Sequence, residues 1–84
     1  MEPVYWIKLV PNANAPIRGS PFAAGWDISA LEACILQPGE RKLLPTGLGF
    51  QIPPNYYGRL ADRSSMALNY GLHVLAGVID ADYR

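Results

Sequence analysis

The sequence predicts an all-β fold, a sandwich or barrel of many short strands. Eight prolines and eight glycines in 84 residues leave few windows for a long helix. Between them, short apolar, aromatic or β-branched segments recur roughly every ten residues, with turn signals separating them. Half of the residues are apolar, enough for a core and a partner face.

Each element follows from its residues. Val4 to Leu9 is aromatic and β-branched and alternates in part, so it reads as the first strand. Pro11 to Pro21, rich in Asn, Ala, Pro, Gly and Ser, reads as an exposed loop. Short strands are expected at Asp27 to Leu31 and at Cys34 to Gln37, the second running into a turn at Pro38-Gly39. Arg41 to Leu44 follows, then Gly47 to Ile52, bounded by Pro53-Pro54. Tyr56 to Ala61 and Leu72 to Val74 are further candidates, and Val78-Ile79 opens another strand. Ser64 to Asn69 lacks β-branched residues, so a short helical turn fits better there, ended by Gly71.

Bulk composition narrows the function. A chain of this size buries only a little more than ~60% of its unfolded surface, so its core is marginal without added burial. Cys34 is the single cysteine, which excludes an internal disulfide and a thiolate metal cluster; it is expected to be a buried small hydrophobe in a reducing compartment. One histidine, His73, argues against a zinc centre. Association is the remaining source of burial, so an oligomer is expected. Seven basic and seven acidic residues cancel, which excludes the basic stripe of a nucleic-acid binder. A polyphosphate ligand would have to be held by a few placed arginines. No apolar run approaches the ~20 residues of a membrane span. Met1 to Lys8 includes Glu2 and lacks a small-residue cleavage site, so no signal peptide is expected. The chain reads as soluble and intracellular, cytoplasmic or nuclear, with no nucleic-acid or membrane partner. It stops at Asp80-Ala81-Asp82-Tyr83-Arg84, just after a strand begins, which predicts that it is part of a longer chain.

Three clusters carry chemistry. In Ala23-Ala24-Gly25-Trp26-Asp27, the glycine permits close backbone approach and the tryptophan offers a flat face beside a carboxylate. The same pattern is common in turns, and alone it reads first as a turn before a core aromatic with Asp27 as a surface cap. In Gly58-Arg59-Leu60-Ala61-Asp62-Arg63-Ser64-Ser65, an arginine beside two serines at a helix-like turn makes a phosphate cradle. Asp62 pairing with Arg63 or Arg59 would instead make an ordinary surface salt network. In Gly77 to Arg84, an extended Val78 to Tyr83 would point Asp80 and Asp82 to one face and Tyr83 to the other. A carboxylate there can serve as general base, and two together suit magnesium; the plain alternative is a solvated strand face with Tyr83 in the core.

In this order, the clusters closely resemble the first three of the five motifs of the trimeric dUTPase family. The first stands as Ala24-Gly25-Trp26-Asp27-Ile28, the second as Gly58, Ala61 and Arg63-Ser64, and the third as Ala76-Gly77-Val78-Ile79-Asp80-Ala81-Asp82-Tyr83-Arg84. Linking segments agree: Pro38-Gly39-Glu40, Leu44-Pro45-Thr46-Gly47, Ile52-Pro53 and Tyr70-Gly71-Leu72. The resemblance implies one dUTPase-like domain over 1–84 that ends after the third motif, the N-terminal part of a jelly-roll (β-clip) subunit. It further implies a homotrimer that hydrolyses dUTP to dUMP and pyrophosphate with Mg²⁺, keeping uracil out of DNA and supplying dUMP for dTMP synthesis.

Roles transfer by motif position. Asp80 resembles the aspartate that deprotonates the water attacking the α-phosphorus. Tyr83 resembles the aromatic residue whose ring lies under the deoxyribose and leaves no room for a 2′-hydroxyl. The backbone from Leu75 to Gly77 is expected to pair with uracil, and Arg63, Ser64 and Ser65 to contact the phosphates. Asp27 is expected to support the second-motif arginine or a water on magnesium, and Asp82 to support the site. No residue is expected to ligate the metal directly; Mg²⁺ would bridge phosphate oxygens. Two positions depart from the pattern, since the family usually has proline where Asp62 stands and glycine where Ser65 stands. An aspartate there suits a phosphate site only if it faces away or pairs with Arg59. The fourth motif and the glycine-rich closing arm do not occur before Arg84, so these residues alone are expected to hydrolyse little. The alternatives are a catalytically incomplete chain that binds nucleotide or protein, and a relative of the dCTP deaminases.

Overall fold

The structure is a computed structural model that describes residues 3–83. Its elements are β1 (Tyr5–Lys8), β2 (Leu48–Gln51), β3 (Tyr57–Arg59), α1 (Ser64–Tyr70) and β4 (Val78–Asp80). The chain divides into two compact units: residues 6–50, and residues 51–83 with 3–5.

In the first unit, β1 and β2 are neighbours in a two-stranded sheet. The Leu9 amide continues the contact by donating to the Gly47 carbonyl at 2.7 Å. Ala13 and Leu48 are the buried apolar side chains among the described residues, and both lie here. Val10, Ala13 and Leu31 close around the Gly47 backbone so tightly that a Cβ there would lie 2.9 to 3.2 Å from their side chains. The expected loop from Pro11 to Pro21 is thus exposed in most of its length but contributes Ala13 to this core.

In the second unit, β3 and β4 pair antiparallel with Tyr57 opposite Asp80, Gly58 opposite Ile79 and Arg59 opposite Val78. The Leu60 amide adds one more rung, donating to the Gly77 carbonyl at 2.8 Å. Gly58 lets Ile52 lie over the strand; a Cβ there would come within 2.7 Å of the Ile52 side-chain tip. The helix forms over Ser64–Tyr70, as the run of Ser, Met, Ala and Leu predicts. Gly71 ends it in the left-handed conformation (φ 66°, ψ 28°), and the amides of Gly71 and Leu72 return to the carbonyls of Ala67 and Met66.

Four expected strands do not form among the described residues: Asp27 to Leu31, Cys34 to Gln37, Arg41 to Leu44 and Leu72 to Val74. These segments meet the rest through single contacts instead of ladders. Ile17 and Asp27 exchange amide bonds of 3.0 and 2.6 Å as an isolated bridge, and the Leu31 amide donates to the Pro45 carbonyl at 2.8 Å. A proline offers an acceptor but no donor, so pairing at Pro45 cannot continue in both directions. The turn at Pro38-Gly39 does form, closed by the Glu40 amide on the Gln37 carbonyl at 3.0 Å and by the Gln37 amide on Glu40 Oε1 at 2.9 Å. Cys34, expected to be buried, is exposed.

Candidate active site

The second and third sequence clusters converge in the second unit. The strand pair β3–β4 does this, because Leu60 to Ser65 leaves the end of β3 while Leu72 to Gly77 enters the start of β4 alongside it. Gly77 is held against the Leu60 carbonyl so closely that a Cβ would overlap the carbonyl oxygen, with Val74 Cγ1 at 3.3 Å from the same point. Only glycine fits there. Ala76, just before it, sits at φ 56°, a left-handed conformation that costs an L-residue roughly 1–2 kcal/mol. The path into β4 is therefore sharply bent, and the bend is held by the Leu60–Gly77 rung.

A groove of about 270 Å³ lies along this junction, lined by Arg59, Leu60, Ala61, Asp62, Val74, Gly77 and Val78. Its size is near the low end for small-ligand clefts, roughly 300–1,000 Å³. A larger hollow of about 380 Å³, lined by Pro3, Tyr5, Gln51, Pro53 and Pro54, contains no residue of the three sequence clusters. The smaller groove is lined by residues of the second and third clusters, and Gly77 is the one expected site residue among them.

Arg63 precedes the helix in extended conformation (φ −77°, ψ 127°), and its carbonyl accepts from the Ala67 amide at 2.9 Å. Ser64 and Ser65 occupy the first turn and are exposed. Leu75 is exposed one residue beyond the groove-lining Val74.

Asp80 and Asp82 are not two residues of one strand face. Strand β4 stops at Asp80, and the chain turns through Ala81 and Asp82, with the Tyr83 amide donating to the Asp80 carbonyl at 3.1 Å. Aspartate at the first position of a turn is favoured, because its carboxylate can accept from the amides that follow. The turn brings Tyr83 back beside Asp80 and carries Asp82 to its exposed tip. Tyr83 is 70% exposed, so it is no core residue. Arg84, the last residue of the third motif, lies outside the described residues.

Asp62 departs most from expectation. Its Oδ2 lies 3.6 Å from His73 Nδ1, and its Oδ1 accepts the Val74 amide at 2.6 Å. It faces the segment entering β4, not Arg63 or Arg59. Twelve residues separate the partners, and no local pattern marks such a contact.

The first cluster is in the other unit. Asp27 is half-buried at the Ile17 bridge, with its carboxylate 3.6 Å from where a Cβ on Gly19 would stand. Trp26 is 60% exposed, so it is not a core aromatic. The Arg18 guanidinium lies 5.8 Å from its ring centroid while donating to the Ala23 carbonyl at 2.9 Å. Arg18 is not marked in the sequence, since a basic residue eight positions before an aromatic carries no recognisable signal.

Comparison with known proteins gives one answer. The family model described as dUTPase matches residues 11–84. A deoxyuridine 5′-triphosphate nucleotidohydrolase of Paramecium bursaria Chlorella virus 1 is 49% identical over 77 residues, covering 92% of this chain and 55% of that protein. The enzyme of the same description from Fowlpox virus (strain NVSL) is 39% identical over 84 residues, covering 100% of this chain and 58% of its own length. Among solved structures, a mutant dUTPase from phage phi11 of S. aureus, described for its coordination of a structural Mg(II) ion, superposes with a TM-score of 0.88 at 32% identity, covering 99% of this chain and 54% of that one. A mutant dUTPase of Staphylococcus bacteriophage 80alpha with dUpNHpp gives 0.89 at 31% identity, covering 100% and 54%. The chain thus spans about half the length of the relatives it matches, and its fold is part of an all-β, jelly-roll dUTPase subunit. The two motif clusters on the β3–β4 junction, the motif cluster at Asp27 and these matches agree: the chain belongs to the dUTPase family.

Proposed function

We propose that this chain carries the nucleotide-binding and hydrolytic residues of a dUTP diphosphatase, acting on the magnesium complex of dUTP. The observation that supports it most is the turn from Asp80 to Tyr83, which sets a carboxylate and a tyrosine three residues apart at the end of the strand bordering the groove. In this reading the Asp80 carboxylate accepts a proton from water as the water oxygen bonds to the α-phosphorus. The bond from that phosphorus to the bridging oxygen breaks, and pyrophosphate leaves with the electron pair. The Tyr83 ring lies beneath the deoxyribose and excludes a 2′-hydroxyl. Backbone groups from Leu75 to Gly77 meet the uracil edge, while Arg63, Ser64 and Ser65 hold phosphates through charge-assisted bonds.

Among the described residues, no three His, Cys, Asp or Glu side chains gather closely enough to hold a metal ion. If magnesium enters with the substrate, it would offset phosphate charge, and Asp27 or Asp82 would reach it through water. Self-association into a trimer is part of the same proposal. It is supported by large apolar side chains left open, Phe22 at 97% and Leu43 at 96% among them.

The test is pyrophosphate release from dUTP, with dTTP and UTP beside it, together with equilibrium binding of each. Asp80→Asn is expected to lower turnover by roughly 10²–10⁴-fold while retaining dUTP binding. Turnover at the parent rate in that variant sinks the catalytic assignment. A binding-only role is the second reading, favoured by the exposure of Asp80 outside the groove lining. Selective dUTP binding without any pyrophosphate release, by a protein that also carries the fourth motif and the closing arm, decides for it.

A further inference from the structure

We infer that Asp62 is a positioning residue for nucleobase selection: its carboxylate fixes the segment entering β4 at a set distance from the phosphate-binding stretch. The inference rests on the deoxyuridine-nucleotide reading above and assigns a determinant within that site.

Two ties connect these stretches. The inner one is the Leu60–Gly77 backbone rung at 2.8 Å. The outer one is the Val74 amide donating to Asp62 Oδ1 at 2.6 Å, with His73 Nδ1 3.6 Å from Oδ2. Between them the chain makes its bend at Ala76, whose φ of 56° is unfavourable for an alanine. Such a conformation persists only where neighbouring contacts over-determine it. The inner tie alone would leave residues 73–76 hinged at one end; the outer tie closes the frame.

The outer tie also joins two functions by adjacency in sequence. Asp62 stands immediately before Arg63, and Val74 immediately before Leu75. Both Asp62 and Val74 line the groove, so the length of their bond sets its width. A proline at position 62 could restrict the backbone but could not accept the Val74 proton. The bond also answers the electrostatic difficulty of a carboxylate beside phosphates. Asp62 directs its charge to a backbone amide and an imidazole, where a charge-assisted hydrogen bond offsets it.

The test uses the 84-residue chain as it stands. Amide hydrogen exchange at Val74 is measured beside the binding of dUMP and dTMP, for the parent, Asp62→Ala and Asp62→Asn. Asp62→Ala is expected to speed Val74 exchange roughly 5- to 10-fold and to reduce the preference for dUMP over dTMP by about 5-fold, the scale of one partly exposed hydrogen bond. Asp62→Asn keeps an acceptor oxygen and is expected to stay within about 2-fold of the parent in both. Unchanged Val74 exchange in Asp62→Ala overturns the inference. So does faster exchange with the dUMP preference intact, and so does an Asn variant that behaves like Ala. All three leave the deoxyuridine reading standing. A parent chain that binds dUMP and dTMP equally overturns that reading, and this inference with it.

Discussion

Residues 57–80 and residues 27–46 start from similar material and end differently. Both hold short apolar segments broken by turn residues, and both read as strands. In the first stretch β3 and β4 pair in register and the Leu60–Gly77 rung prolongs them. In the second, extended backbone meets its neighbours by isolated bonds, such as Leu31 to Pro45 at 2.8 Å. Side-chain preference makes a segment extended; it takes consecutive donors and acceptors on a facing segment to make it a strand. Gly77 permits the close approach that the first pairing needs, whereas Pro38 and Pro45 remove donors from the second.

Breaking the first stretch should therefore cost most. Gly77→Ala drives a methyl group into the Leu60 carbonyl, and backbone on both sides must move. The expected loss is about 3 kcal/mol, which a domain this small can hardly absorb. Urea unfolding would show it as a lower midpoint, and an unchanged midpoint would mean the two segments are not locked together.

A milder change sharpens the contrast within the same stretch. Ala76→Gly removes the left-handed penalty but enlarges the freedom of the unfolded chain, so the two terms oppose. A net gain of about 0.5 kcal/mol is expected, read from the thermal midpoint. A loss of stability would show that Ala76 bears no strain.

An effect of similar size, but a loss, is expected in the other unit. Arg18→Ala removes a guanidinium from over the exposed Trp26 ring and one bond to the Ala23 carbonyl. About 0.5–1 kcal/mol should be lost, with Trp26 fluorescence altered and the β3–β4 amides unmoved. Shifts at those amides in an NMR spectrum would mean that the two stretches are more closely coupled than their separate bonding suggests.

The sequence made local features legible and left distant ones hidden. The helix at Ser64–Tyr70, its end at Gly71 and the turn at Pro38-Gly39 depend on neighbouring residues, so composition reveals them. β1, β2, β3 and β4 were legible as apolar runs, although β1, β2 and β3 are each shorter than the run that announces them. The end of β4 at Asp80 was not legible, because alternation alone continues to Tyr83 while turn formation by the aspartate competes with it. Asp62 was read against Arg59 and Arg63, its sequence neighbours, and the partner it takes is Val74. Exposure of Cys34 and Trp26 likewise depends on what packs against them, which no window of residues contains. For the site, order of motifs was the informative signal, since each cluster alone also described an ordinary turn or surface.

The turn from Asp80 to Tyr83 works as a short ruler. One backbone bond of 3.1 Å ties its two ends together. A single inserted or deleted residue between them changes that spacing at once, so length variation inside these four residues is the change the turn can least accommodate. A carboxylate and a ring that travel together in this way form a cassette, and the smallest piece of the chain to carry both is the turn itself.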